Sequence, residues 1–254
     1  MFIDTHAHIY SKEFDTDVAE VIQRAKEANI EKIVLPDIDS LVRADMLKLA
    51  DSYPDFLYPC IGLHPTSVNE NFKEELVLLD EALSSRKFWA IGETGIDLYW
   101  DKSYKEQQIE AFRYQIDLSL KYNLPIIIHA RDSIKEIFAV LEEYKTKDIK
   151  GVLHCFPGDL AEAKKAIDYG LFLGIGGVST FKNTHLREVI KEIDIKNIVL
   201  ETDSPYLAPV PFRGKRNESA YVVQIADMLS GIYCMDIEKI GEITSNNARR
   251  LFNF

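Results

Sequence analysis

The sequence predicts a (β/α)8 TIM barrel, an α/β fold, in a single domain over residues 1–254. Three observations lead there. Eight short β-rich runs recur, each followed by a helical pattern. Several runs are continuously apolar, such as Ile126-Ile127-Ile128, which suits parallel strands buried on both faces. The chain has 254 residues, close to the roughly 250 of a typical barrel of this kind.

The strand runs are Met1–Asp4, Lys32–Leu35, Phe56–Ile61, Phe88–Ile91, Pro125–Ile128, Lys150–Leu153, Leu171–Gly174 and Asn197–Leu200. Between them, Val18–Ala28 and Leu41–Ser52 read as amphipathic helices. Ile109, Phe112, Ile116 and Leu120 fall on one helical face. Asp132 is expected to cap a helix over Ser133–Tyr144, and Asp159 one over Leu160–Tyr169. Gly170 then stands where a left-handed glycine ends a helix. Ala220–Gly231 and Ile237–Phe252 read as two closing helices. A doubly wound open sheet is the competing architecture. It is weakened by the lack of a GxGxxG or GxxxxGK[ST] turn.

Composition is that of an ordinary globular chain, 46% hydrophobic and 28% charged. Thirty Lys and Arg stand against 41 Asp and Glu, a net charge of −11. That balance argues against non-specific coating of nucleic acid, though not against a local basic mouth. Cys60, Cys155 and Cys234 form an odd set without CxxC, which fits a reducing compartment. The opening MFIDTHAHIY has neither a basic nor an apolar leader region. No uncharged apolar run reaches the ~18 residues of a membrane span. A cytoplasmic, monomeric protein with no membrane partner is expected.

Position is the informative feature of the polar residues. His6 and His8 follow the first predicted strand, His64 the third, Glu93 the fourth, His129 the fifth, His154 the sixth and Asp203 the eighth. In a barrel the carboxyl ends of the strands open at one face, where active sites lie. His185 falls in a loop or helix start and is expected to be structural. His6-x-His8 puts two imidazoles on one side of an extended chain, and Asp4 is expected to orient one of them. Glu93 has two oxygens with which to bridge two cations. Cys155 is expected to face away from His154 as a packed thiol. Imidazoles and carboxylates together make a mixed N/O site suited to Zn, Mn, Fe or Co, with Mg less favoured by imidazole. His6, His8, Glu93, His129, His154 and Asp203 make six candidate ligands, more than one catalytic ion takes, so two ions are expected, and with them metal-assisted hydrolysis.

At these residues the chain resembles the TatD family of metal-dependent deoxyribonucleases, within the amidohydrolase-like barrels. The matching stretches include Asp4-Thr-His-Ala-His8, Gly62-Leu-His-Pro65, Gly92-Glu-Thr-Gly-Ile-Asp97, His129-Ala-Arg131, His154-Cys-Phe-Pro-Gly158 and Glu201-Thr-Asp-Ser-Pro205. Gly174-Ile-Gly-Gly-Val-Ser-Thr180 and Arg213-Gly-Lys-Arg-Asn217 complete an ordered set covering nearly the whole chain. The resemblance implies that His6, His8, Glu93 and Asp203 hold one divalent ion (Mg, Mn or Zn), and that Glu93, His129 and His154 hold a second. It implies catalytic roles for Glu93, Asp203 and His64. His64 would stand at the mouth near the scissile phosphate, and Asp203 would take a proton from water. It implies DNA as substrate, single-stranded or at ends, and 3′–5′ exonuclease action. Departures from the family pattern fall in loops: Thr66 after Gly-Leu-His-Pro, Leu98 between Asp97 and Tyr99, and Asn217-Glu218-Ser219. None touches a proposed ligand.

For the substrate, Arg131 shares its side of a strand with His129 and can reach a phosphate. Arg213, with Lys215, Arg216 and Lys182, suits backbone contacts. Tyr99, Trp100, Phe156, Phe181 and Phe212 lie in predicted mouth loops and could stack on bases. Gly174, Gly176 and Gly177 could allow close approach of a ligand or serve a bend. Two other functions compete. One is a barrel hydrolase acting on a small ester, lactone, amide or phosphate. The other is a binding barrel without activity.

Overall fold

The computed structural model describes all 254 residues. It is an α/β barrel of eight parallel strands: β1 (Phe2–Asp4), β2 (Ile30–Leu35), β3 (Leu57–Pro59), β4 (Ile91–Asp97), β5 (Ile126–Arg131), β6 (Gly151–Leu153), β7 (Leu171–Ile175) and β8 (Ile198–Leu200). Continuous pairing runs β1-β2-β3 and β4-β5-β6-β7-β8. The two seams are held by single parallel bridges, Ile61 with Ile91 and Ala7 with Ser204. Backbone bonds reinforce them, Gly92 N to Ile61 O at 2.7 Å and Thr5 N to Leu200 O at 2.9 Å.

Nine helices surround the strands: α1 (Val18–Glu27), α2 (Ser40–Ser52), α3 (Phe72–Ser85), α4 (Lys105–Tyr122), α5 (Ile134–Glu143), α6 (Leu160–Asp168), α7 (Leu186–Lys191), α8 (Val222–Tyr233) and α9 (Ile237–Phe252). No helix is long and apolar enough to cross a membrane. Asp159 caps α6 as expected, in a reciprocal box with Glu162, and Gly170 follows it at φ +82°. Asp132 is not a cap. It sits at φ +54°, and Ser133 takes the N-cap position of α5. The eighth helix starts at Val222, because Ser219–Tyr221 form a separate 3-10 turn.

Strand alternation sorts the core into two layers. Ile3, Val34, Cys60, Ala90, Ile127, Val152 and Val199 point into the barrel, where Leu251 and Phe252 of α9 close its amino-terminal end. The alternate residues, such as Ile33, Leu35, Ile126, Ile128 and Leu153, pack in the main core cluster beneath the helices. With both strand faces buried, the apolar runs of the sequence have their explanation. The opposite, carboxyl end of the barrel is left to the polar residues.

Two strands are longer and later than the periodicity predicts. The fourth begins at Ile91, not Phe88, and continues through Asp97; the fifth continues to Arg131. Glycine permits the first extension. A Cβ on Gly95, at φ +138°, would stand 2.2 Å from the carbonyl oxygen of His129 on the neighbouring strand. Glu93, Asp97 and His129 therefore lie on strands, not on loops.

Candidate active site

β1 ends at Asp4, but Ala7 pairs with Ser204, which keeps the chain extended between His6 and His8. Their rings converge with Nε2 atoms 3.0 Å apart. His8 Nδ1 lies 2.9 Å from the hydroxyl of Tyr10, which itself donates to Pro36 O at 2.6 Å. Because the tyrosine proton goes to that carbonyl, His8 Nδ1 must carry the proton and Nε2 keeps a lone pair. Glu93 Oε2 stands 3.1 and 3.4 Å from the two Nε2 atoms, and Asp203 Oδ1 stands 3.8 Å from each.

The other oxygen of Glu93 faces a different set. Oε1 is 2.8 Å from His129 Nδ1, 3.5 Å from His64 Nε2 and 3.7 Å from His154 Nε2. Asp97 Oδ2 takes the remaining ring nitrogen of His129 at 2.9 Å. Glu201 Oε1 lies 3.0 Å from His154 Nδ1 and accepts the Cys155 N–H at 2.6 Å. These two carboxylates orient the rings, leaving Nδ1 of His129 and Nε2 of His154 turned to the centre. The sequence alone assigns no role to Tyr10, Asp97 or Glu201. Its available signal is spacing, since Asp97 and Glu201 sit on or beside the strands that carry Glu93 and Asp203.

Burial raises Glu93, but His6, His64, His154 and His129 around it hold its carboxyl well below the usual range. Burial depresses His6. Burial also works against a charge on His154, yet Glu201, Glu93 and Asp203 outweigh it and push that ring up to about 10. Asp203 is pushed up to about 6 by burial, with His154 and His8 opposing. It sits at φ +57° and its side chain is 16% exposed, against 3% for Glu93, so it is the carboxylate nearest solvent.

Three groups have donor atoms mutually within 4.8 Å: His6, His8 and Asp203; His6, Glu93 and His154; His64, Glu93 and His129. The donor set fits divalent cations. Two imidazole Nε2 atoms 3.0 Å apart face oxygens of Glu93 and Asp203, a mixed N/O set, and the buried Nδ1 of His6 has no hydrogen-bond partner. His64 differs from the others. Its Nδ1 accepts the N–H of Thr66 at 3.1 Å, so the proton of the neutral ring is on Nε2, directed at Glu93. That tautomer makes it a hydrogen-bond donor within the cluster.

The scaffold behind these side chains is specific. Asp37, after β2, grips the Gly92–Glu93 peptide from both sides, donating its N–H to Gly92 O and accepting from Glu93 N, each at 3.0 Å. Its buried carboxylate pairs with Arg43 at 2.6 Å. From α4, Gln108 accepts the N–H of Asp97 at 2.9 Å, and Gln115 binds both N–H and C=O of Leu63, at 2.8 and 3.1 Å. Leu63 precedes His64. Replacing Gln115 by Leu strands two buried main-chain groups, each costing about 1–3 kcal/mol. Denaturant unfolding is expected to show that loss, with Gln107→Leu as a nearly neutral control on the same helix.

Several residues sit otherwise than the sequence predicts. Asp4 does not orient an imidazole; its carboxylate accepts the backbone N–H groups of His6 and Thr202 and the Thr202 hydroxyl. Cys155 lies past the end of β6 at φ +43°, so strand alternation does not place it. It remains a packed thiol, raised well above its ordinary range by burial. Phe156 is buried in the core and offers no stacking face. Arg216 is committed to Asp17 at 2.6 and 2.8 Å. Gly174 makes room for protein, not ligand: its Cβ would stand 2.2 Å from Glu201 Oε2, whereas one on Gly176 would find 3.6 Å. Gly174→Ala is therefore expected to cost about 1–3 kcal/mol by overpacking. Thermal unfolding of it beside Gly176→Ala separates a crowded Glu201 from a general intolerance of this loop. His185 is structural as read: it stands at the N-cap position of α7 and its ring contacts Gly158 O at 3.1 Å.

Arg131 and Arg213 carry no carboxylate partner. Arg131 lies over the Tyr99 ring at 3.9 Å and Arg213 over Phe181 at 4.5 Å.

Comparison with known proteins decides the relationship. A family model described as TatD related DNase matches residues 3–253. The chain belongs to the TatD family. A metal-dependent hydrolase of Bacillus subtilis, YabD, is 42% identical over 253 residues, covering 99% of both chains. A protein of Erwinia tasmaniensis named 3′-5′ ssDNA/RNA exonuclease TatD is 32% identical over 98% of this chain and 99% of its own. The crystal structure of the Escherichia coli TatD homologue YjjV superposes with a TM-score of 0.93 at 31% identity, covering 100% of this chain and 98% of that one. This TatD chain is thus a member of a metal-dependent hydrolase family with that family's barrel.

Proposed function

We propose that the chain is a divalent-metal-dependent deoxyribonuclease, built as one barrel domain, that hydrolyses phosphodiester bonds at single-stranded DNA ends. The observation that carries this reading is the division of Glu93, with Oε2 towards His6 and His8 and Oε1 towards His129, His154 and His64. A carboxylate so divided suits a bridge between two cations. His6, His8, Glu93 and Asp203 would hold one, and Glu93, His129 and His154 the other. Divalent ions there, Mg, Mn or Zn, would clamp attacking and leaving oxygens and bring the pKa of water towards neutrality.

The remaining chemistry belongs to the chain. Asp203, the carboxylate most open to solvent, is suited to take a proton from the attacking water. His64 presents its Nε2–H to a phosphate oxygen. Arg131 and Arg213, free of carboxylates, bind flanking phosphates and account for a local basic mouth on an acidic protein. The name of the Erwinia relative supports 3′–5′ polarity on single strands.

The test is cleavage of end-labelled single-stranded DNA by metal-stripped protein resupplied with Mg, Mn or Zn. Metal-dependent laddering supports the reading, and its direction reports polarity. No cleavage by protein shown to bind metal overturns it in favour of a small ester or phosphate substrate.

A further inference from the structure

We infer that Tyr99, Trp100 and Arg131 form a nucleobase-stacking subsite that takes the unpaired base beside the bond being cut. This rests on the proposed nuclease reading and specifies what it must recognise.

Exposed apolar side chains that cluster, unlike single ones, mark interaction sites. Trp100 is 68% exposed and Tyr99 is 54% exposed. They meet edge to face, with centroids 5.0 Å apart at 86°. The Arg131 guanidinium lies over Tyr99 at 3.9 Å and within 5.2 Å of the Trp100 ring centre. No carboxylate pairs with it. An arginine stacked by its face keeps its N–H edge free for a phosphate. An aromatic surface with an adjoining free cation matches a nucleotide, whose base is a flat π system and whose phosphate is anionic.

The cluster is tied to the reacting centre by one side chain. Asp97 Oδ1 accepts the N–H groups of Tyr99 and Trp100 at 2.9 and 3.3 Å. Its Oδ2 holds His129 Nε2 at 2.9 Å. The carboxylate that orients the imidazole beside Glu93 thus also sets the turn that presents both rings. Asp97 and Arg131 are register partners on β4 and β5. A base on this platform is held in fixed relation to a phosphate at Glu93. Only a splayed base offers its face, so the subsite selects single strands over duplex.

Trp89, at the opposite end of the barrel against Tyr58 and Phe254, is the other tryptophan. Full-length protein carrying Trp89→Phe therefore reports on Trp100 alone. In Mg buffer it would be titrated with cleavage-resistant phosphorothioate oligothymidylate, and with an abasic oligomer of equal length and charge. The expected result is quenching of Trp100 emission by the thymidylate only, with about 5- to 100-fold tighter binding than the abasic oligomer. Trp100→Ala, followed by filter binding, is expected to abolish that preference. Equal affinity for the two oligomers, binding of neither, or a preference that survives Trp100→Ala overturns the inference. Failure of the nuclease reading would look different: quenching and base preference would persist while ordinary oligothymidylate stayed uncut.

Discussion

Glu93→Gln is expected to abolish hydrolysis while leaving the barrel folded. The substitution keeps the shape of the side chain but replaces one carboxylate oxygen by an amide nitrogen, which cannot ligate a cation. Whichever way the amide turns, either the His6 and His8 side or the His129 and His154 side loses its oxygen. Removing a single electrostatic stabiliser from a transition state costs about 10²–10³-fold. On the proposed reading Glu93 serves two centres, so the loss should meet or exceed that range. Equilibrium dialysis against Mn or Zn should show fewer ions bound per chain, and circular dichroism should show the parental spectrum. A variant with undiminished turnover and ion count would remove Glu93 from the centre of the site.

Metal uptake is expected to weaken steeply with acid, by up to about tenfold per pH unit for each proton displaced. The sign follows from His154. Without metal its ring stays protonated up to about 10, and that proton must leave before Nε2 can ligate. Below that pH, binding an ion releases a proton, so affinity rises with pH. The same shift predicts the stability of the metal-free protein. The folded value lies above the ordinary value of 6.5. Its contribution is therefore fully present below 6.5 and lost as pH climbs towards 10. Calorimetric titration with Zn in two buffers of different ionisation enthalpy would count the protons released. A heat independent of the buffer would contradict the ordering of charges around His154.

Both expectations depend on residues that the bare sequence treats unequally. Glu93, His129 and His154 stand out because polar residues interrupt apolar runs at recurring positions, and a barrel turns recurrence along the chain into proximity in space. Glu201 and Asp97 carry the same signal but stay unassigned. A second carboxylate near a strand end is as readily a cap or a surface charge, and only the approach of a ring from the adjacent strand separates the cases. Tyr10 gives still less notice. Its importance lies in where its hydroxyl proton goes, to Pro36 O, a contact across two strands that no spacing rule describes. The basic run shows the reverse problem. Arg213 and Arg216 look alike in sequence, yet Asp17 neutralises one while the other stays open over Phe181.

The sequence by itself determined the alternation of strands and helices, the double burial of the strands, and the set of polar residues sent to one end of the barrel. These are consequences of periodicity, a local property that each segment carries alone. The tertiary structure decided which ring nitrogen faces inward, which carboxylate holds it there, which arginines stay unpaired, and that β4 runs on to Asp97. Those outcomes depend on directed contacts of a few ångströms between segments distant in the chain. Hydrogen bonds and ion pairs are short-ranged and angular, so they exist only once packing has set the strands in register.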